Sequence, residues 1–296
     1  MLRVVSTGII FLLLYGVLIT PFTAYLKDKP FVEKIGYVPS VVVLKSIAVD
    51  QKELVGASLV LKVLMYFGGL ISKSENQFNI PPDYKNMSRL LHGAVKLDPY
   101  NMDAYYFAQS FLTWDAKQYK LANQLLDYGM EFRTWDWYLP FFAGFNSVYF
   151  LKDYAAAAKY YQRAGELSGS DLNKLLAGRY MQESGQTDLA ITYLSAMLKG
   201  ENNPALKKNY QIRLTAFRET RRIEEARDRY LKTQGTMPST VEQLVSGRYL
   251  SPHPRDPYGG QFYLEVNGKV STTSKYAFAG VKNNRTKKAG ESDERH

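Results

Sequence analysis

The stretch of this chain whose residue types most invite a chemical reading is Arg255 to Val270, R-D-P-Y-G-G-Q-F-Y-L-E-V-N-G-K-V. Adjacent Gly259 and Gly260 beside a basic residue raise the question of a phosphate-binding loop. Such loops run from a strand into a helix whose first amides face the anion. Here the glycines lead into the aromatic run Q-F-Y-L-E-V, a strand pattern, so the anion reading fails on context. Asp136, Glu166, Glu183 and Asp188 are the other candidates for chemistry, as general acids or bases. No two of them stand at a spacing that forces their side chains together. His92, His253 and His296 are far apart in sequence, and there is no cysteine. Thiol nucleophiles, thiolate metal sites and disulfides are thereby excluded, and a histidine triad or metal centre is disfavoured. The sequence predicts no catalytic residue, no metal and no cofactor. An enzyme with an unrecognised site remains the alternative from another class.

The elements around this stretch set what else is feasible. The 296 residues allow about two domains, and 46% hydrophobic with 14% aromatic residues marks a folded chain. The net charge of +10 is spread along the chain, with local excesses at Lys207/Lys208, Arg218/Arg221/Arg222 and Arg285/Lys287/Lys288. No nucleic-acid motif accompanies it, which disfavours that partner. Val4 to Leu26 holds no charge, and about 20 apolar residues span a bilayer as a helix. With a bulky Phe22 where a cleavage site needs a small residue, residues 1–29 read as an uncleaved anchor. The short basic N-terminus places the body of the protein outside the cytoplasmic membrane, as a single-pass protein with a periplasmic domain; reversed topology would make it a cytoplasm-facing adaptor. A second apolar run, Leu54 to Ile71, carries Lys62 in its middle and reads as a repeat helix rather than a second span.

Self-similarity runs through residues 30–234. Lys152 to Leu167, K-D-Y-A-A-A-A-K-Y-Y-Q-R-A-G-E-L, spaces Tyr154, Ala157, Tyr161 and Ala164 along one helix. Related patterns carry Ala122, Ala190 and Ala226, and the four alanines stand 35, 33 and 36 residues apart. Small side chains at that interval let paired helices cross closely. The unit resembles the second helix of a tetratricopeptide repeat, about 34 residues long, and L-D-P-Y-N, Leu97 to Asn101, resembles its closing turn. A weaker unit pairs Leu54–Gly69 with Tyr84–Leu97 across a polar loop at 72–83. Phe145, where a small residue is usual, and an extra residue before Tyr119 predict irregular packing there.

The resemblance implies an all-α solenoid of helical hairpins that binds a protein in its groove, lined by the first helix of each unit. Carried over by position, that face comprises Tyr106, Ser110 and Trp114, then Phe142, Asn146 and Tyr149, then Arg179, Gln182, Gln211 and Arg218. Tyr, Trp and Arg are enriched at binding hot spots.

Residues 235–281 form a small α+β appendix in this reading. Ser239 and Glu242 read as a capping box for a short helix ending at Gly247. Pro252, Pro254 and Pro257 hold an extended run, and Asn267-Gly268 marks a β-hairpin. The order is similar to the C-terminal part of the type II secretion major pseudopilin, resting on Tyr249, Leu250, Pro254, Asp256, Pro257, Tyr258 and Gly259. Gly260 replaces the usual Asn, and the N-terminus lacks a pilin processing site, so the chain is not itself read as a pseudopilin. Only Asp256 and Glu265 are acidic in the hairpin region, so the calcium site of that family is not carried over. Residues 282–296 are expected to be a disordered charged tail. The whole predicts a membrane-anchored protein-binding scaffold in an envelope assembly or secretion complex, with the appendix as a cap on the solenoid end or as a docking module.

Overall fold

A computed structural model describes residues 2–28, 34–75 and 81–276. The expected tail at 282–296 lies outside the described residues. The chain divides into two compact units, Met1–Ala116 and Lys117–His296. The division falls inside the span read from sequence as one repeat domain.

In the first unit, α1 (Leu2–Asp28) is a helix whose residues from Phe11 to Tyr25 are exposed. Next come α2 (Val41–Ala48), α3 (Lys52–Glu75), α4 (Tyr84–Leu97) and α5 (Met102–Trp114). α3 and α4 pack as the expected hairpin, burying Leu59, Val60, Val63 and Leu70 on one side and Leu90, Leu91, Ala94 and Val95 on the other. Two caps show why the helices start where they do: Asp83 accepts from Asn86 N at 3.3 Å and Asn101 from Ala104 N at 3.0 Å. Over Lys52–Ser72, α3 is long and apolar enough to cross a membrane, with mean hydropathy 2.0.

The second unit runs α6 (Tyr119–Phe132), α7 (Tyr138–Asn146), a π-helical turn (Ser147–Leu151), α8 (Tyr154–Ser168), α9 (Asp171–Glu183), α10 (Thr187–Gly200), α11 (Pro204–Gln234) and α12 (Val241–Ser246), then strands β1 (Phe262–Leu264) and β2 (Val270–Thr272). Successive helices from α6 to α11 pack on their neighbours. Ala122, Ala157, Ala190 and Ala226 are all fully buried. At Gly178 a β-carbon would lie 3.0 Å from Leu194, which shows how closely α9 and α10 approach. The π-helical turn begins two residues after Phe145, near where irregularity was expected.

The fourth repeat is a correction. Its two expected helices are one, α11, 31 residues long. R-E-T-R-R-I-E-E-A, Arg218 to Ala226, contains neither Gly nor Pro and offers nothing to break a helix. Ala226 therefore packs not on a hairpin partner but with Ile223, Val241, Leu244, Leu250, Phe262 and Val270, in a core shared by α11 and the C-terminal segment. The cap of α12 is also displaced by one residue from expectation. Thr240, not Ser239, accepts from Gln243 N at 3.1 Å, and Gln243 Oε1 accepts from Ser239 N at 2.9 Å. The hairpin forms as predicted: Phe262 pairs with Thr272 and Leu264 with Val270, antiparallel, around Gly268 at φ 80°.

The R-D-P-Y-G-G stretch is a polar knot. Asp256 accepts from Tyr258 N at 2.8 Å, from Ser274 Oγ at 2.6 Å and from Thr272 Oγ1. A β-carbon on Gly260 would sit 2.6 Å from both Asp256 Oδ2 and Ser274 N, so glycine is required there by contact. Arg213, 8% exposed, fastens this knot to α11. Its Nε donates to Tyr258 Oη at 2.9 Å and its Nη2 to the Tyr276 carbonyl at 2.8 Å. The guanidinium carbon lies 5.4 Å, 5.9 Å and 6.0 Å from the ring centroids of Tyr258, Tyr276 and Phe217. A desolvated cation over aromatic faces is stabilised by about 2 kcal/mol or more.

Arg213→Met keeps volume but leaves the Tyr258 hydroxyl and Tyr276 carbonyl short of a donor. It is expected to lower the unfolding free energy by about 2–4 kcal/mol, read as a lower urea midpoint. Gly260→Ala forces atoms apart in a packed site, and a loss of about 1–3 kcal/mol is expected in the same measurement.

Candidate functional site

Because Arg213 docks the C-terminal segment on α11, the hairpin comes to lie beside the C-terminal half of α9. Lys269, next to β2, reaches Glu183 of α9 at 2.5 Å, and its ammonium also stands 5.6 Å from the Tyr154 ring centroid. Arg227 of α11 holds the hairpin turn by donating to the Gly268 carbonyl at 2.7 Å. Two clefts meet at Glu183. One, of about 400 Å³, is lined by Gln182, Glu183, Arg221, Glu224 and Lys269. The other, of about 150 Å³, is lined by Arg179, Glu183, Glu265 and Tyr276.

Each cleft is lined by a residue with a buried polar atom that folding has left unmatched. Gln182 is 2% exposed, and its Oε1 meets no hydrogen-bond partner among the described residues; the same holds for Nε of Arg179. Buried polar atoms are nearly always paired, and an unmet one costs about 1–3 kcal/mol. Aromatic rings adjoin this charged lining. Tyr154 and Tyr161 stack on Tyr180 with centroids 6.0 Å and 5.6 Å away, and the Arg179 guanidinium carbon lies 5.7 Å from the Tyr180 ring. Burial pushes the Tyr161 and Tyr180 hydroxyls above the ordinary phenol range, which keeps them neutral. Tyr149, from the π-helical turn, is 57% exposed and close enough to act electrostatically on Tyr180. Burial likewise raises the Glu224 carboxyl, against the opposing effects of the Thr187 hydroxyl (2.8 Å), Arg227 and Arg221.

The residues expected to line a groove are thus distributed unevenly. Tyr149, Arg179 and Gln182 gather around this seam. Gln211 and Arg218 are exposed on α11, and neither lines the two clefts. Phe142 is half-buried and packs edge-on against Phe141, centroids 5.5 Å apart. Asn146 is 0% exposed and is a structural residue. Its amide donates to Asn123 Oδ1 at 3.0 Å, while Asn123 donates to the Ala143 carbonyl and Ser147 Oγ, both at 3.1 Å. In the first unit, Ser110 and Trp114 are exposed on α5 and Tyr106 is half-buried. Sequence reasoning missed Lys269, which the hairpin brings to α9, and read Tyr154 of α8 only as a repeat packing residue. Lys269 adjoins the Asn-Gly turn, but its partner Glu183 stands 86 residues away.

The carboxylates considered for catalysis each have a structural partner. Asp136 pairs with Arg133 at 2.9 Å, Glu166 with Arg163 at 3.7 Å and Asp188 with Arg221 at 2.8 Å. Among the described residues no three of His, Cys, Asp or Glu cluster as a metal-ligand set.

No family model matches the chain, and no curated protein matches it. Among solved structures, that of YrrB, described as a TPR protein with an unusual peptide-binding site, is similar to this chain. It shares 19% identity with a TM-score of 0.36, and the match covers 71% of this chain and 100% of the other.

Gln182→Met tests whether the unmatched acceptor is kept for a ligand. Removing an unpaired buried polar atom at near-constant volume is expected to leave the melting temperature unchanged or raise stability by up to about 1 kcal/mol. A clear loss of stability would make Gln182 a structural residue.

Proposed function

We propose that this protein is a membrane-anchored helical-repeat scaffold that binds a protein segment at the seam between α9 and the C-terminal hairpin. The observation that carries the reading is the pair of unmatched buried atoms, Arg179 Nε and Gln182 Oε1, three residues apart on one helix, in side chains that line adjoining clefts. Their chemistry specifies the partner. Arg179 calls for a carboxylate and Gln182 Oε1 for an amide or hydroxyl donor, as an extended acidic segment would supply. Tyr149 offers an exposed aromatic face for an apolar side chain beside them. Stacked helical hairpins present such surfaces without any catalytic apparatus.

Anchoring is supported by α1, a helix exposing Phe11, Leu12, Leu13, Leu14, Val17, Leu18 and Phe22. A helix apolar on all sides needs an apolar surrounding. Confinement to a membrane raises the local concentration of partners, so a modest groove suffices. The short basic N-terminus supports an extracytoplasmic body, in an envelope assembly or secretion complex.

A photoreactive amino acid at Tyr149 of the full-length membrane protein is expected to give a protein adduct that Arg179→Ala weakens roughly tenfold, the equivalent of about 1.4 kcal/mol. Adducts that survive Arg179→Ala and Gln182→Met unchanged would remove the seam from the account. An export-dependent reporter fused after His296 is expected to be active; silence there, with activity of a cytoplasmic reporter, would reverse the topology.

A further inference from the structure

A second surface lies in the first unit, on the side of α3 turned away from α4. Leu54, Ala57, Leu61, Leu64, Met65, Gly68 and Ile71 recur at intervals of three and four residues and are all exposed, Met65 by 70%. The stripe runs for roughly 26 Å at 1.5 Å per residue. The opposite side of the same helix buries Leu59, Val60, Val63 and Leu70. Val42, Val43, Ile47 and Val49, on α2 and just after it, are exposed as well. Soluble proteins rarely leave so long an apolar face in water.

We propose that this face lies in the surface layer of a membrane leaflet, so that α2 and α3 rest on the bilayer while α1 crosses it. The inference rests on the anchor reading of α1. Three observations favour lipid as the occupant. First, residues 29–40 join α1 to α2, and twelve residues reach at most about 40 Å, so chain length alone keeps the face close to the membrane that holds α1. Second, the charges of residues 34–72 are exposed Lys34, Lys45, Lys52 and Lys62 against Asp50 and Glu53, a positive balance that suits anionic headgroups. Third, Lys62, at the edge of the stripe, turns its ammonium to the Tyr37 carbonyl at 3.3 Å, leaving the stripe itself free of charge. An apolar helical face flanked by lysines is the pattern of helices lying in the interface plane rather than across it.

The absence of native cysteine makes the test direct. Leu61→Cys and Met65→Cys on the stripe, Leu14→Cys on α1 and Glu242→Cys on α12 would each carry a bimane label in the full-length protein. The protein would be reconstituted in phosphatidylcholine–phosphatidylglycerol vesicles containing nitroxide lipids. Labels at 61 and 65 are expected to be quenched by headgroup-level nitroxides and shielded from aqueous iodide, with the label at 14 quenched deeper in the bilayer and that at 242 by iodide alone. If 61 and 65 follow 242 while 14 stays in lipid, the inference is overturned and the anchor survives. If 14 is also aqueous, the anchor reading falls with it. Rapid disulfide formation between Met65→Cys copies, with no lipid quenching at 61, would assign the face to self-association and overturn the proposal.

Discussion

Arg213 is a buried cation whose partners are a tyrosine hydroxyl, a backbone carbonyl and three aromatic rings. Such an arrangement is stable only if every element of the cage is in place, because a buried charge without its partners costs several kcal/mol. Two of the rings come from the C-terminal segment and one from α11. Docking of that segment is therefore coupled to burial of this one guanidinium. Tyr258 and Tyr276 enter the same apolar core as Ala177, Leu194, Leu214 and Phe217, so the cage also closes the end of the helical stack. A terminal repeat must cover its outward face, and here the cover is the appendix rather than another helix.

The proposed recognition surface follows from that closure. Once Tyr258 and Tyr276 are seated, the hairpin has little choice of position, and Lys269 meets Glu183. The clefts holding Arg179 and Gln182 exist because β2 and its turn stand beside α9. Cap and docking module, alternatives when only the sequence is considered, become in the proposed reading two consequences of one interaction. The Glu183–Lys269 pair is about one-quarter exposed at each end, and its role is placement; pairs reaching water contribute little to stability.

Local signals in the sequence carried the local structure. Ala122, Ala157 and Ala190 marked helix crossings because only a small side chain fits there. Asn267-Gly268 marked the hairpin because its turn needs positive φ at the glycine. What escaped were pairings between distant residues. Asn146 has the spacing of a groove residue, but its partner Asn123 lies in the preceding helix, and that pairing draws it inside. Arg213 gives no sign of its cage, whose two tyrosines stand 45 and 63 residues later. The fused α11 was legible and misread: the alanine interval suggested a hairpin, while the lack of any breaker between Arg218 and Ala226 favoured one continuous helix.

Amide hydrogen exchange on native protein and Arg213→Met tests whether cap and seam are one construction. Protection is expected to fall together in residues 241–276 and in the C-terminal half of α9, with α6 to α8 unchanged. Loss confined to residues 241–276, with α9 as protected as in the native chain, would contradict the account.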